Sequence, residues 1–404
     1  MIREKAIRLI FLLFLLYGFS STIISPLIPW ISAKLDIGYD KIGIILLYST
    51  ISGILSTFVA GRLCDSRDIK KIILIGLIIA TLGFLLFGLY LAFITLVLSL
   101  IFLRFGFGII DTSGYAYGSS LFEGNHSLIY MKMEIFWYAG SIISPLLIGG
   151  MLYLGIHPRL AFLFFALIFM ATIVLFHVIS PPIKNAKLNE EVNAKREKLS
   201  PASLLFYVRE PIIICGTLAL FFFVGSLIGL SSWLTTYFLA FDIAVYQGSL
   251  VLSLFWASLS LGLFVARKII KKTNEITIIL IGNLMGTVGV FAFGIVNIVV
   301  IKIILLMLVG FFVSGICSLT LALSVSLRSD RAGSIVGFMV AGIYMSGLVF
   351  QPLLGFVAEH ISEGFVIYIV LTGLVVSLIL NFVLFRLLNK KQSTKLILFA
   401  GSRA

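Results

Sequence analysis

Arg104 and Asp111 stand seven residues apart in "RFGFGIIDTSG", residues 104 to 114, within an otherwise apolar run. An arginine keeps its proton, so it serves as a fixed charge or as a bidentate clamp. A carboxylate withdrawn from water favours its protonated form, which suits it to taking up and releasing protons. Seven residues is nearly two helical turns, so on a helix both side chains leave one face. Glu134 is a third ionisable group in apolar surroundings, with Trp137 about one turn further on. A charge at the centre of a bilayer costs about 2.5–3.5 kcal/mol on insertion scales, so a stripe of this kind has to face protein or a wet cavity. The plainer alternative is a buried tie between helices with no part in any chemistry. For Glu134 it is a side chain that reaches back to the interface.

The elements that carry these residues follow from composition. The chain has 404 residues, 60% hydrophobic and 12% charged, far from the roughly 25% charged residues of soluble domains. No single soluble core absorbs this much apolar surface. A helix needs about 20 apolar residues to cross a bilayer. Twelve stretches qualify, at 6–30, 42–61, 71–91, 93–121, 129–154, 159–180, 204–240, 247–266, 275–297, 299–327, 332–358 and 364–388. They are apolar throughout, without the alternation of barrel strands. The expected fold class is therefore an all-α membrane protein with twelve transmembrane helices. The basic, then apolar N-terminus has no A-x-A-like cleavage site and is expected to remain as the first span.

Charge placement supports this count. With both termini in the cytoplasm, 25 Lys and Arg residues fall on the inner side. Four, Lys34, Lys41, Arg159 and Lys302, fall outside. The bias follows the positive-inside rule. It also accounts for the net charge of +13 by contact with anionic lipid headgroups, so nucleic acid is not an expected partner. In this topology Arg104 lies about 16 Å into span four and Asp111 about 10 Å nearer the cytoplasm, with Glu134 about 8 Å from the inner surface.

The chain divides into two halves. Residues 180–211 hold ten charged residues and four prolines. The expected organisation is a first six-helix bundle at 1–180, a cytoplasmic linker at 181–203, a second bundle at 204–390 and a cytoplasmic tail at 391–404. "SPAS", from Ser200, reads as a cap with Pro201 in the first helical position. "GSIISPLL" in span five and "GLVFQPLL" in span eleven share G-x-x-x-x-P-L-L at equivalent places. "GRLCDSRDIKK" after span two has a worn counterpart, "GLFVARKIIKK", after span eight. Such placement points to an internal duplication.

With these motifs, nearly the whole chain resembles the major facilitator superfamily. The family pattern after span two is roughly G-x-L-a-D-R-x-G-R-K. Gly61, Leu63, Asp65 and Lys70 match it, Arg67 and Lys71 keep basic charge nearby, and Ser66, Asp68 and Ile69 depart. The resemblance implies that this loop is a cytoplasmic gate, in which the glycine lets the helix end tightly and the aspartate meets a helix N-terminus or a basic group in one conformation. Ala266 stands at the equivalent acidic position of the second half. The implied fold is two six-helix bundles related by a pseudo-twofold, with a midplane site.

Two branches of the family compete. "GFGIIDTSGYAY" resembles the span-four motif of fucose-permease-like sugar/proton symporters through Gly106, Gly108, Asp111 and Thr112, which places Asp111 on that branch's proton-carrying acid. Span seven resembles the same branch through Val224, Gly225, Trp233, Thr236 and Tyr237. Leu227 and Ser25 replace two of its acids, and Tyr115 an asparagine, so uncoupled facilitation stays open. Arg104 and Gly108 also fit the R-x-x-x-G of drug/proton antiporters, whose span-five glycine pattern "GSIISPLLIGG" approximates.

On the family's rule for cavity-lining spans, Trp137, Trp233, Trp256, Tyr344 and Gln351 are candidates for substrate contact, suiting a sugar ring or a flat drug. Trp30 reads as an interfacial anchor. Asn283 falls on a non-lining span, and the four histidines lie near span ends. Cys64, Cys215 and Cys317 are too scattered for a metal site or disulfide framework, and no cofactor is expected. The expected protein is a monomeric, multi-pass cell-membrane transporter, not an enzyme, that moves a small organic, sugar-like solute with proton coupling. Drug/proton antiport is the alternative. A membrane-embedded enzyme is more remote, since no nucleotide loop or nucleophile–base set is present.

Overall fold

The computed structural model describes residues 2–89, 92–121, 126–181, 210–270, 272–326 and 332–401. Its helices are α1 Ile2–Thr22, α2 Ile28–Leu35, α3 Tyr39–Ser66, α4 Ile69–Leu89, α5 Phe93–Leu121, α6 His126–Tyr153, α7 Arg159–Ile179, α8 Pro211–Leu239, α9 Val245–Ile269, α10 Glu275–Ile295, α11 Val299–Val313, α12 Ile316–Ser326, α13 Ala332–His360 and α14 Val366–Gly401. Among the described residues, 12 stretches are long and apolar enough to cross a membrane, in the number and order the sequence predicts. The linker and its "SPAS" cap lie outside the described residues.

Two spans are interrupted where the sequence reading has continuous helices. The first breaks into α1 and α2 through a 3-10 turn at Ser25–Leu27. The tenth breaks into α11 and α12 around Ser314 and Gly315. Where a tail was expected from residue 391, the backbone of α14 continues as helix to Gly401.

The first break has a clear cause. Pro29 has no N–H to return to the Ser25 carbonyl four residues earlier. That carbonyl instead accepts from the Ile28 N–H and, at 2.7 Å, from the Thr235 hydroxyl of α8. The Ser25 hydroxyl donates to the Ser231 carbonyl at 2.8 Å. Pro145, inside α6, likewise frees the Ser141 carbonyl, which Thr22 of α1 approaches with its hydroxyl at 3.4 Å. In lipid such groups must find partners inside the protein.

Several helix ends are closed by basic side chains from neighbouring elements. Arg159 donates to the Gly88 carbonyl at 2.9 Å and to that of Leu89, closing α4. Lys70 donates to the His177 carbonyl in the last turn of α7 at 2.6 Å. Arg3 donates to the Leu121 carbonyl at the end of α5. Lys302, fully buried, donates to the Phe293 carbonyl in the last turn of α10 at 2.7 Å. Each places positive charge at the negative end of a helix dipole.

The chain divides into two compact units. One comprises Met1–Lys195, Leu230–Ala257 and Leu348–Val366 and the other Arg196–Gly229, Ser258–Gly347 and Ile367–Ala404. In the first, glycines bring helices into backbone contact. A Cβ on Gly18 would strike the Trp137 carbonyl, and one on Gly140 the Leu15 carbonyl, so α1 and α6 meet without side chains between them. Gly106 lies against Gly76 and Ala80 of α4, and Gly108 against Ser56 and the Gly53 carbonyl of α3. In the second unit Gly262 abuts the Phe311 carbonyl and Gly282 the Phe312 carbonyl. Asn283 of α10 donates to the Ser377 hydroxyl at 2.8 Å, and Ser377 donates to the Ala219 carbonyl at 3.0 Å. Asn283 is thus a buried tie among three helices, as its position on a non-lining span suggests.

Gly140→Val is expected to force α1 and α6 apart and lower the melting temperature of the detergent-purified protein sharply, or prevent its recovery. Gly150→Ala, where a Cβ meets nothing within 4 Å, is expected to leave the melting temperature within a few degrees of wild type.

Candidate functional site

The site is built on α5. Arg104, Gly108, Asp111 and Tyr115 follow one another at spacings of four, three and four residues, which puts them on one stripe. Arg104, Asp111 and Tyr115 are half-buried. The stripe keeps its position because Gly108, between the two charges, leaves room for α3 to close on the backbone. Asp111 is ten residues before the end of α5 and Glu134 eight residues after the start of α6. By helical rise these are about 15 and 12 Å from the adjoining helix ends. α6 begins at His126 rather than at residue 129.

Phe107, between Arg104 and Asp111 along α5, belongs to an aromatic layer. Phe107 of α5 stacks on Tyr17 of α1, with centroids 5.5 Å apart, and Tyr17 lies 6.2 Å from Trp137 of α6. Trp137 meets Trp256 of α9 edge to face at 5.4 Å, and Tyr138 lies 5.3 Å from Trp137 and 6.3 Å from Trp256. One turn beyond Asp111, Tyr115 packs its ring on Phe14 of α1 at 4.8 Å. All these residues belong to the first unit. Along α5 the order is thus Arg104, Phe107, then Asp111, over about 10 Å of rise. Neither the Trp137 nor the Trp256 indole N–H has a hydrogen-bond partner, although both atoms are buried.

Trp233 and Gln351, named from the sequence as substrate contacts, engage each other instead. The Trp233 indole donates to Gln351 Oε1 at 3.3 Å, and Gln351 Nε2 donates to the Ser232 hydroxyl at 3.1 Å. Both are buried. Further contacts lie at the end of this unit opposite the N-terminus. Gly43 of α3 and Gly355 of α13 touch at the backbone. The Tyr39 N–H, at the start of α3, donates to Glu359 Oε2 at 2.7 Å. The Tyr153 and Tyr246 rings meet at 4.6 Å. Tyr344 lies in the second unit and is half-buried.

The motif after the second span is placed as follows. Gly61 lies within α3, which runs on to Ser66, and a Cβ there would meet nothing within 4 Å. The glycine therefore does not end the helix, contrary to the sequence expectation. Leu63 is half-buried, and Arg67 and Lys71 are exposed. The Asp65 side chain lies outside the described residues. Asp68, a departure from the family pattern, holds the N-terminus of α4: its carboxylate accepts from the Lys70 N–H at 3.1 Å. That capping role suits Asp in this position, and the "D-I-K-K" after a helix end was the signal for it.

The histidines are peripheral. His157 packs edge-on against Trp30 at 5.2 Å, and burial, then Arg159 and Lys34, hold its imidazole below its ordinary pKa. His360 stacks on Phe356. Among the described residues the three cysteines form no disulfide, and no metal-holding cluster occurs. Tyr17, Tyr138 and Phe107 were missed from sequence, because aromatic residues are common in apolar helices and none is marked by a charge.

Twelve helices among the described residues, long and apolar enough to cross a membrane, define a multi-pass membrane protein. A family model described as Major Facilitator Superfamily matches residues 10–352, and the chain belongs to that superfamily. No curated protein matches it by sequence. Among solved structures it is similar to a bacterial homologue of the human lysosomal transporter Spinster, in an inward-facing, occupied conformation. There the TM-score is 0.79 at 12% identity, covering 95% of this chain and 97% of that one. It is also similar to a point mutant of the nucleoside transporter NupG, with a TM-score of 0.76 at 13% identity, 96% of this chain and 99% of that one. A D-xylose–proton symporter gives 0.74 at 13% identity, 93% of this chain and 97% of that one. At such identity the likeness establishes a shared fold.

On a cysteine-free background, cysteines at positions 104, 111 and 134 are expected to react with a membrane-impermeant thiol reagent. One at Asn283 is expected to stay unreactive. Labelling at 283 with none at 111 would remove the stripe from the water path.

Proposed function

We propose that this transporter carries a small organic, sugar-like solute by alternating access, with Asp111 as the proton-titrating group and Arg104 as a fixed charge. The observation that carries the reading is the order along α5, where a cation and a carboxylate on one half-buried stripe flank Phe107, a member of the aromatic layer. An aromatic face takes the apolar side of a sugar ring, and polar groups fix its orientation. A carboxylate near the belt can exchange a proton as access alternates. The similar fold of a D-xylose–proton symporter and a nucleoside transporter is in keeping with this choice. Both termini are taken as cytoplasmic from the charge bias, and the chain is taken to act as a monomer. The contacts at the opposite face, Ser25 with Ser231 and Thr235, and Tyr39 with Glu359, then close the outer side and must part for outward access. Gly61, with open space beside it, and Lys70 belong to the cytoplasmic gate of this reading.

Drug/proton antiport is the second reading. It is favoured by Gly108 holding the backbone close to α3 one turn from Arg104, which fits the antiporter span-four pattern.

In proteoliposomes, an imposed proton gradient is expected to drive solute uptake, and Asp111→Asn is expected to abolish the gradient dependence while leaving exchange measurable. Flux indifferent to the gradient in the wild-type protein would assign facilitation instead. Gradient-driven expulsion of fluorescent dyes, with no sugar flux, would assign antiport.

A further inference from the structure

We infer that Trp137 and Trp256 form the hydrogen-bond-donating subsite of the transport site, and that they select an uncharged, hydroxyl-bearing ring over a lipophilic cation. The inference rests on the transport reading above and names the substrate class of that site.

The two indole N–H groups are shielded from water and bonded to nothing. A buried donor without an acceptor is costly in any protein and more so in a membrane, where water offers little relief. Their edge-to-face arrangement, 84° between planes, turns the rim of one ring toward the face of the other. At most one N–H can be directed at its neighbour's π cloud in such a pair, so the other gains nothing from it. The same chain shows what it does when an indole is buried for packing alone. Trp233 is fully buried, and its N–H is given the Gln351 side-chain oxygen as acceptor. No acceptor is supplied at Trp137 and Trp256, which lie against Tyr17 and Tyr138.

An aromatic box by itself would suit a cation, through attraction to the ring faces. Here two features oppose that. A lipophilic cation brings no acceptor, so both N–H groups stay unpaired. It also brings positive charge into a layer that includes Phe107, three residues along α5 from Arg104, whose charge is fixed. A hydroxylated ring resolves both. Its oxygens accept from the indoles, and its apolar C–H face lies on the half-buried Tyr17.

The test uses the full-length protein in proteoliposomes with three radiolabelled probes, D-xylose, uridine and tetraphenylphosphonium. Trp137→Phe and Trp256→Phe each keep a ring and remove the donor. For D-xylose or uridine, each variant is expected to raise KM about tenfold, the value of one lost hydrogen bond, with the maximal rate within about twofold. In the wild-type protein the same probe is expected to change tryptophan fluorescence, and each single variant to lose part of that change. The fluorescence titration decides the matter if a variant proves unstable. Saturable D-xylose or uridine flux with unchanged KM in both variants, and no fluorescence response, would overturn the inference while leaving the transport reading intact. Flux of tetraphenylphosphonium alone would overturn the substrate class. Silence from all three probes would overturn both.

Discussion

The constraint on which this structure depends is that no backbone carbonyl can be left bare in lipid. An uninterrupted helix meets it without help, but this chain interrupts its helices often. Several interruptions are met by a specific side chain from another element. The Thr235 hydroxyl serves the carbonyl released by Pro29, and the Thr22 hydroxyl turns to the one released by Pro145. Arginines and lysines close the ends of α4, α5, α7 and α10. These bonds also fix which helices are neighbours, because a carbonyl can be served only from within reach. A threonine has a short reach and needs a close helix. An arginine or lysine can serve across a gap.

Close helices in turn need bare backbone at the contact. Gly18 and Gly140 let α1 and α6 touch, and Gly106 and Gly108 seat α5 between α4 and α3. This seating leaves α5 with little freedom to rotate. Its charged stripe is held at one angle, with the aromatic belt completed by Tyr17 from α1 and Trp137 from α6. The site is therefore a by-product of glycine packing as much as of its own polar residues.

Much of this was legible in the sequence. The number and order of the spans follow from length and apolar content, and the common face of Arg104 and Asp111 follows from their spacing. Asn283, discounted in the sequence as lying on a non-lining span, bonds to Ser377. Other features depend on tertiary neighbours that no local pattern reveals. Trp137, Trp233 and Trp256 look alike in sequence, yet Trp233 is satisfied by Gln351 while the other two have no acceptor. The broken first span was foreshadowed by Pro26 and Pro29, but what held the break together lay 206 and 210 residues away, at Ser231 and Thr235. In the loop after α3 the family pattern drew attention to Asp65, while the capping geometry selects Asp68.

The buried Lys302 has a consequence for how the chain is oriented as it is made. Its ammonium sits on the Phe293 carbonyl and over the Phe293 ring, 4.8 Å from the centroid, and Arg159 is similarly occupied at the end of α4. Under the proposed orientation, two of the four basic residues on the outer side are therefore engaged at helix ends, Lys302 fully buried and Arg159 half-buried. The asymmetry that the folded protein presents to the two leaflets is steeper than a tally of lysines and arginines suggests, and neutralising these two would loosen helices before it reversed any topology.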